Sequence, residues 1–547
     1  MITTPLPRVQ ASYDVVVIGS GAAGLVAALR TADAGLSVLV LEKAERLGGT
    51  SAISGGVMWA PDSHLMHDAG FADSAAAAAD YLRAATNGSM PESEIDWYVT
   101  QAPRAVRYLA DNTRVRQLPL ARPDYHLEWP GAAAAGRGLD NAVFDPAEFS
   151  GLAETIREAS YFPPISMGER DDLRGAPIDA ELLHERTQAG IRTMGGALVG
   201  SLVASALDRD IDLVLQARVT GLQPEGDRWR LVIDGGAHSV HSVSADQSVS
   251  AGQVVIASGG FEWNRQLREA LLSAQITPIS APSNEGDGLV LGLSVGAGLS
   301  DATSIWGVPV IAAPTQNYDG HPSGRMANVE MTLPGSITVN ARGRRFVNEA
   351  LNYHDLTRVF SNTNPATGRP ANSPAWLIFD SGYLDRYPVA GSTPGQPEPW
   401  MLTADTLAGL AELCSISPEG LVQTVVRFNA GADLGRDDDF GRGATAQDRY
   451  LGDPNNLPNP CLAPLVSAPY YAVPIRAGVL GTAGGLRANE HGQVLTHAGD
   501  PISGLFAAGN CSATVFHDAY PGGGATLGSA ITRAFAVGEF LAAHSTH

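Results

Sequence analysis

Three glycines in Gly19-Ser20-Gly21-Ala22-Ala23-Gly24 carry the spacing that cradles a dinucleotide diphosphate. An apolar run, residues 15–18, leads into them. An apolar-periodic helix follows, and a second apolar run, residues 37–41, ends at Glu42. Gly19 permits a tight turn, Gly21 lets a pyrophosphate approach the backbone, and Gly24 lets the helix pack closely on the strand. The helix then presents free N–H groups and a partial positive charge to the phosphates. Glu42 stands where a carboxylate can accept from ribose hydroxyls. Strand, glycines, helix, strand and acid agree, so an ordinary glycine-rich turn is the weaker reading.

The residues after Glu42 select among dinucleotides. Lys43 is followed by Gly48-Gly49-Thr50-Ser51 and then by Ser54-Gly55-Gly56. An NAD site has no use for a second Gly/Ser/Thr stretch there. The diphosphate and ribityl chain of FAD do, because backbone amides and hydroxyls can line them. The expected cofactor is FAD.

These parts sit in a chain of 547 residues, long enough for two or three domains. With 44% hydrophobic and 17% charged residues it has the composition of a globular protein. A net charge of −21 argues against nucleic acid and against docking on anionic lipid. No apolar run reaches the roughly 18 residues of a membrane span. Pro5 and Pro7 interrupt any signal-like pattern at the N-terminus. Cys414, Cys461 and Cys511 form no metal or redox spacing, which suits a reducing cytoplasm. The thirteen histidines show no metal or triad spacing either, so no metal site is expected.

Residues 57–120 read mostly as helix, and 121–150 as a loop suited to lining a site. A helix over 195–207, strands at 211–216, 229–233 and 253–257, and a turn at Asp234-Gly235-Gly236 continue the nucleotide-binding pattern. The tone changes near Thr277 and returns near Pro469. The expected fold is α/β: a Rossmann-like FAD-binding domain, 1–277 and 464–547, with an inserted α+β catalytic domain, 278–463, that caps the substrate. Strand 336–339 and helix 407–413 belong to the insertion.

Several blocks resemble the succinate dehydrogenase/fumarate reductase flavoprotein superfamily, and within it the 3-ketosteroid Δ1-dehydrogenases. They are GGTSAISGG after Glu42, Pro123-Asp124-Tyr125, RFVNEALNY ending at Tyr353, LGTAGGL near Gly481, and GLFAAGNCSA…AYPGGGATLG. The likeness spans nearly the whole chain. It implies a 1,2-dehydrogenation beside a ketone, with a proton leaving carbon 2 and a hydride leaving carbon 1. It assigns Tyr353 as the base, Tyr125 as its hydrogen-bonding partner, and the Tyr520 hydroxyl and Gly524 N–H as donors to the carbonyl oxygen. For FAD it adds Val219, Ala257, Gly259, Asn510 and Leu527 to Gly19, Ser20, Gly21, Ala22, Ala23, Gly24, Glu42, Lys43, Gly48, Gly49, Thr50, Ser51, Ser54, Gly55 and Gly56. The FAD is expected to be held without a covalent bond. A quinone or another small molecule is the electron acceptor implied. The setting is the cytoplasm, and a lipophilic substrate is compatible with loose membrane association.

Fumarate reductases carry an arginine in the glycine-rich tail to clamp a dicarboxylate. Here that place reads Ala519-Tyr520-Pro521-Gly522-Gly523-Gly524, without a cation. A neutral ketone needs donors only; a dicarboxylate would lack its guanidinium partner. The alternatives are a Δ4-dehydrogenase or enone reductase of the same superfamily, and a non-catalytic steroid-binding flavoprotein. Glu349, chemically able to act as a base, is expected instead to pair with Arg345. His126 and His517 are either pocket-lining or ordinary loop residues, and Trp129 and Trp306 either wall an apolar slot or are core.

Overall fold

The computed structural model describes residues 10–159, 161–173, 177–235, 247–273 and 275–544. They fall into two compact units. The first comprises 1–272, 280–305 and 481–547; the second comprises 273–279 and 306–480.

The first unit is built on β1 (Ser12–Ile18), whose four central and terminal valines and isoleucine are buried on both faces. Such a continuous apolar strand belongs inside a parallel sheet. β1 is followed by helix α1 (Ala22–Ala32) and by β2 (Val38–Leu41). β1 pairs in parallel with β2, Val15 opposite Val38 and Ile18 opposite Leu41. On its other side it pairs in parallel with the strand Gln247–Ile256. The strand Pro501–Ala507 extends the sheet beyond that, and Asp212–Val214 extends it beyond β2. An antiparallel pair, Ala217–Glu225 and Arg228–Gly235, joins through Gln247–Ile256. The helices Met194–Leu207 and Ala525–His544 are buried along most of their length. The strand read over 229–233 runs on through Gly235, so Asp234 and Gly235 of the expected turn are strand, and Gly236 lies outside the described residues. A small sheet of Met58–Trp59, Gly138–Asn141 and Gln117–Pro119 interrupts the helical stretch read over 57–120.

The second unit holds a mainly antiparallel sheet in which Tyr470–Thr482 lies between Ile305–Ile311 and Ala375–Asp380, with Ser336–Asn340 beyond. The sequence placed residues 470–480 with the flavin domain. They pair instead with Ala375–Asp380 and Leu402–Ala404. The helix Asp287–Ser294, read as part of the insertion, belongs to the first unit. One face of the second sheet packs Ile337, Val339 and Ile378 on the helices Leu407–Leu413 and Pro418–Ala432.

Charge is deeply buried in this second unit. Glu349 is fully enclosed and accepts from Arg345 Nε at 2.9 Å, Arg345 Nη2 at 2.5 Å and the Thr338 N–H at 2.9 Å. Arg345 reaches Asp437 at 2.8 Å, and Arg442 lies 3.4 Å from Glu349. Burial pushes the Glu349 carboxyl up, but the two guanidinium groups and the amide outweigh it and hold it below the ordinary glutamate range. The expected Arg345 pair is present, and it makes Glu349 a structural anion.

The three cysteines are also buried. Burial raises Cys414 to about 12, Cys461 to about 11 and Cys511 to about 12.

Glu349→Ala should destabilise the protein by about 3–5 kcal/mol, because it takes the facing carboxylate from the buried Arg442 and one of two carboxylates from Arg345. Denaturant unfolding would measure it. Since the folded carboxyl titrates below its unfolded value, its contribution is present in full above the ordinary glutamate range. It is lost as pH falls through the lower folded value, so the gap between parent and variant should close in acid.

Candidate active site

The first unit gathers nearly all the residues singled out for the cofactor. Gly19 turns with φ +108°, and a Cβ there would sit 2.4 Å from the Ala257 carbonyl oxygen. A Cβ on Gly24 would sit 2.0 Å from the Gly19 oxygen. Both positions demand glycine, for the turn and for the close packing. A Cβ on Gly21 would meet only Ser51 Oγ, at 3.5 Å. The backbone there is open to a ligand.

α1 begins at this point with no side-chain cap on Gly21. The Ala22 N–H donates to Ser51 Oγ at 3.1 Å. Ala22, Ala23 and Gly24 are all buried. A buried, uncapped helix start leaves amides in need of an acceptor, and an anion supplies one. The residues therefore fit a dinucleotide diphosphate.

Glu42 shapes this turn as well as closing β2. Its Oε2 accepts from the Ser20 N–H at 3.1 Å and hydroxyl at 2.7 Å, and its Oε1 from the Ala44 N–H at 2.9 Å. Ser20 Oγ in turn accepts from the Gly48 N–H at 3.0 Å, which ties the two glycine stretches together. Lys43 is held by Glu285 at 2.8 Å and Asp287 at 2.9 Å. Gly48, Gly49 and Gly56 have positive φ, and nothing lies within 4 Å of a Cβ built on Gly49. Ser54 Oγ accepts from the Gly56 N–H at 3.0 Å, and a Cβ on Gly55 would meet the Met167 side chain. Val219 is buried in the antiparallel pair, Gly259 turns at φ +77° beside Asn284, Asn510 lies in the turn after Pro501–Ala507, and Leu527 is buried in the first turn of the C-terminal helix.

The tail and the 121–138 loop meet in a second cluster. The rings of Tyr125 and Tyr520 stack with centroids 5.7 Å apart and planes 14° apart, and both side chains are buried. The Tyr125 N–H donates to the Pro521 carbonyl at 3.2 Å. The fully buried Tyr81 hydroxyl donates to the same carbonyl at 2.6 Å and accepts from the His126 N–H at 3.3 Å. Thr526 Oγ1 donates to the Tyr520 hydroxyl at 3.4 Å. Gly524 turns with φ +98°, and a Cβ there would lie 2.6 Å from the Val57 oxygen. Its carbonyl accepts from the Trp59 N–H at 3.0 Å, while its own N–H has no backbone acceptor among the described residues.

A buried acid underlies this cluster. Asp124 accepts from Trp59 Nε1 at 2.8 Å, from the Ala133 N–H at 2.9 Å and from Arg137 Nη1 at 2.7 Å. Arg137 also grips Asp73 with two bonds, at 2.9 and 2.7 Å. Desolvation pushes the Asp124 carboxyl up, against the pull of Arg137 and the donors. Asp124 immediately precedes Tyr125, so the donors that hold the acid also anchor the tyrosine's backbone, and Trp59 links the acid to Gly524.

Tyr353 belongs to the second unit. It opens the helix Tyr353–Arg358, capped by the Asn352 side chain, which accepts from the Asp355 N–H at 3.0 Å. Its half-buried ring packs on the cluster of Ile279, Val308 and Val310. Trp306 is core, and His126 stacks on Trp129 at 3.7 Å with Nδ1 against Glu128. His517 lies 3.6 Å from Glu94.

Sequence reasoning missed Trp59, Tyr81, Arg137 and Glu262. Glu262 is fully buried under the Thr50 loop. It accepts from Ser280 Oγ at 2.6 Å and from Asn284 Nδ2 at 2.7 Å, and Asn284 also donates to Thr50 Oγ1 at 2.8 Å. The only signal was its place just after Gly259, which is among the residues expected at the cofactor, beyond the end of the strand Gln247–Ile256.

Among the described residues no group of three or more His, Cys, Asp or Glu could hold a metal, and no helix is long and apolar enough to cross a membrane.

The FAD binding domain family model matches residues 14–527. The 4-oxocyclohexanecarboxylate 2-dehydrogenase of Sinomonas cyclohexanicum is 40% identical, over 97% of this chain and 93% of its own. The 3-oxosteroid 1-dehydrogenase of Mycobacterium tuberculosis (strain ATCC 25618 / H37Rv) is 35% identical, over 95% and 96%. Among solved structures, the 3-ketosteroid Δ1-dehydrogenase of Sterolibacterium denitrificans, in complex with 1,4-androstadiene-3,17-dione, superposes with a TM-score of 0.89. It is 34% identical and covers 98% of this chain and 100% of that one.

Gly19→Ala forces a side chain against Ala257 in a backbone conformation that costs about 1–3 kcal/mol. It should weaken FAD binding by roughly tenfold or more, read from the flavin retained per chain after gel filtration.

Proposed function

Because the chain belongs to the FAD-binding family of flavoprotein oxidoreductases, we propose that it dehydrogenates a cyclic ketone at the carbons beside the carbonyl, with a 3-ketosteroid as substrate and carbons 1 and 2 as the bond oxidised. The observation that carries this reading is the Tyr125–Tyr520 stack, set beside Gly524 in the unit that bears the flavin residues.

The Tyr520 hydroxyl and the Gly524 N–H are the donors for the ketone oxygen. As a proton leaves carbon 2, charge moves onto that oxygen as an enolate, and donors fixed beforehand stabilise it. Glycine at 524 serves this role physically, since its amide can be aimed without a side chain in the way. Tyr353 is the base. A free phenol has a pKa of about 10, so it takes a proton at neutral pH only with help. The role assigned to Tyr125 is that help: a hydroxyl that stabilises phenolate character on the base. FAD, when bound, supplies the acceptor for the hydride leaving carbon 1. A quinone or similar small molecule then removes the electrons.

A second reading has a specific support. The relative at 40% identity is named for a small keto acid, 4-oxocyclohexanecarboxylate. The chemistry next to the carbonyl would be the same, but the substrate would carry a carboxylate. The tail from Ala519 to Gly524 offers it no cation, which favours the neutral ketone.

Anaerobic addition of 4-androstene-3,17-dione should bleach the flavin and yield the 1,4-diene. Bleaching by 4-oxocyclohexanecarboxylate alone would transfer the assignment to the keto acid. Tyr520→Phe should lower kcat roughly 10²–10³-fold, the usual loss of an oxyanion donor. Tyr353→Phe should abolish turnover while FAD stays bound; unchanged turnover would remove it as the base.

A further inference from the structure

Arg533 is a buried cation to which the reading above gives no task. It lies in the C-terminal helix Ala525–His544 with only 7% of its surface exposed. Its Nη1 donates to Ser512 Oγ at 3.2 Å and to the Ala513 carbonyl. Its Nε has no hydrogen-bond partner. No carboxylate among the described residues comes within ion-pair distance of it. Glu94, the acid whose field reaches it, lies 3.6 Å from His517. Burial accordingly pulls its pKa below the ordinary arginine value. By contrast Arg137 and Arg345, equally buried, each grip two carboxylates.

A guanidinium removed from water without an anion is costly, and the cost is offset when a negative group arrives. The location says which group. Ser512 Oγ donates to the Gly509 carbonyl at 2.9 Å, so Arg533 braces the turn 509–513. A Cβ on Gly509 would lie 3.2 Å from the Ala23 Cβ, at the uncapped start of α1, and 3.9 Å from the Ala530 Cβ. The Cys511 thiol ties the same turn to the Ile256 carbonyl at 3.0 Å, at the end of the strand next to β1. The turn therefore lies over the diphosphate cradle, with Asn510 in it.

We infer that Arg533 is the protein's internal counter-charge for FAD: a buried, carboxylate-free guanidinium behind the turn 509–513 that strengthens binding of the anionic cofactor and favours its reduced, more negative form. This goes beyond the reading of the reaction and rests only on FAD as the cofactor. It stands or falls independently of which ketone is oxidised.

The test uses the flavin-loaded protein without substrate. Arg533→Met and Arg533→Gln remove the charge, Gln keeping an N–H donor for the Ala513 carbonyl, and Arg533→Lys retains the charge. In Met and Gln the dissociation constant for FAD, from recovery of free flavin fluorescence, should rise roughly tenfold. The reduction equilibrium constant should fall roughly tenfold, a drop of about 30 mV in a two-electron midpoint potential. Lys should stay near the parent in both. Ser512→Ala, which loosens the turn but keeps the charge, should leave the potential unchanged. Parent-like values in Met and Gln would overturn the inference. So would a Lys or Ser512→Ala potential lowered as far as that of Met, since the effect would then be turn packing. If Met and Gln fail to fold, a potential lowered by about 30 mV in Lys or Ser512→Ala overturns the inference, and parent-like potentials and FAD affinity in both uphold it.

Discussion

A carboxylate taken out of water has to be met by donors, and Asp124 is met on every side. An indole N–H from Trp59, an amide from Ala133 and a guanidinium from Arg137 converge on it. Ala133 and Arg137 come from the same loop as Asp124, and Trp59 from 65 positions earlier in the chain. Trp59 hands its own backbone N–H to Gly524, and Tyr125 follows Asp124 directly and donates to Pro521. The acid thus fixes a phenol and a glycine-rich tail in one arrangement. Removing a single donor would leave charge stranded in a dry place, which makes the arrangement all-or-none rather than adjustable.

The cofactor cradle follows the opposite logic. Here the chain leaves polar groups unmet: an uncapped helix start at Gly21 and a guanidinium at Arg533 that meets no acid among the described residues. Groups that the fold satisfies internally hold the structure. Glu349 and Arg345, deep in the second unit, show this with no ligand role attached.

The sequence made the first unit's frame readable because local rules settle it. Gly19 and Gly24 are demanded by backbone geometry within six residues, and an apolar strand between parallel neighbours announces itself by composition. The Arg345–Glu349 pair was reached through the family-like block that ends at Tyr353, since the segment holding it is not a helix. The boundary near 464 was misplaced because Tyr470–Thr482 is an apolar strand that would suit either sheet; only its partners decide. Trp59, Tyr81 and Arg137 were invisible for the same reason. Tyr81 meets Pro521 across 440 positions, and no spacing rule encodes such a bond. Tyr125, Tyr520 and Gly524 were reached through likeness to a family, not through periodicity.

The cysteines have a consequence for life beside a reduced flavin. Oxygen that intercepts its electrons yields peroxide, and peroxide attacks the thiolate form of sulfur. Cys414, Cys461 and Cys511 are enclosed and held as neutral thiols far above physiological pH. The chain thus keeps its most oxidisable sulfur out of reach of its own by-product, and wear from uncoupled turnover has to fall on other side chains.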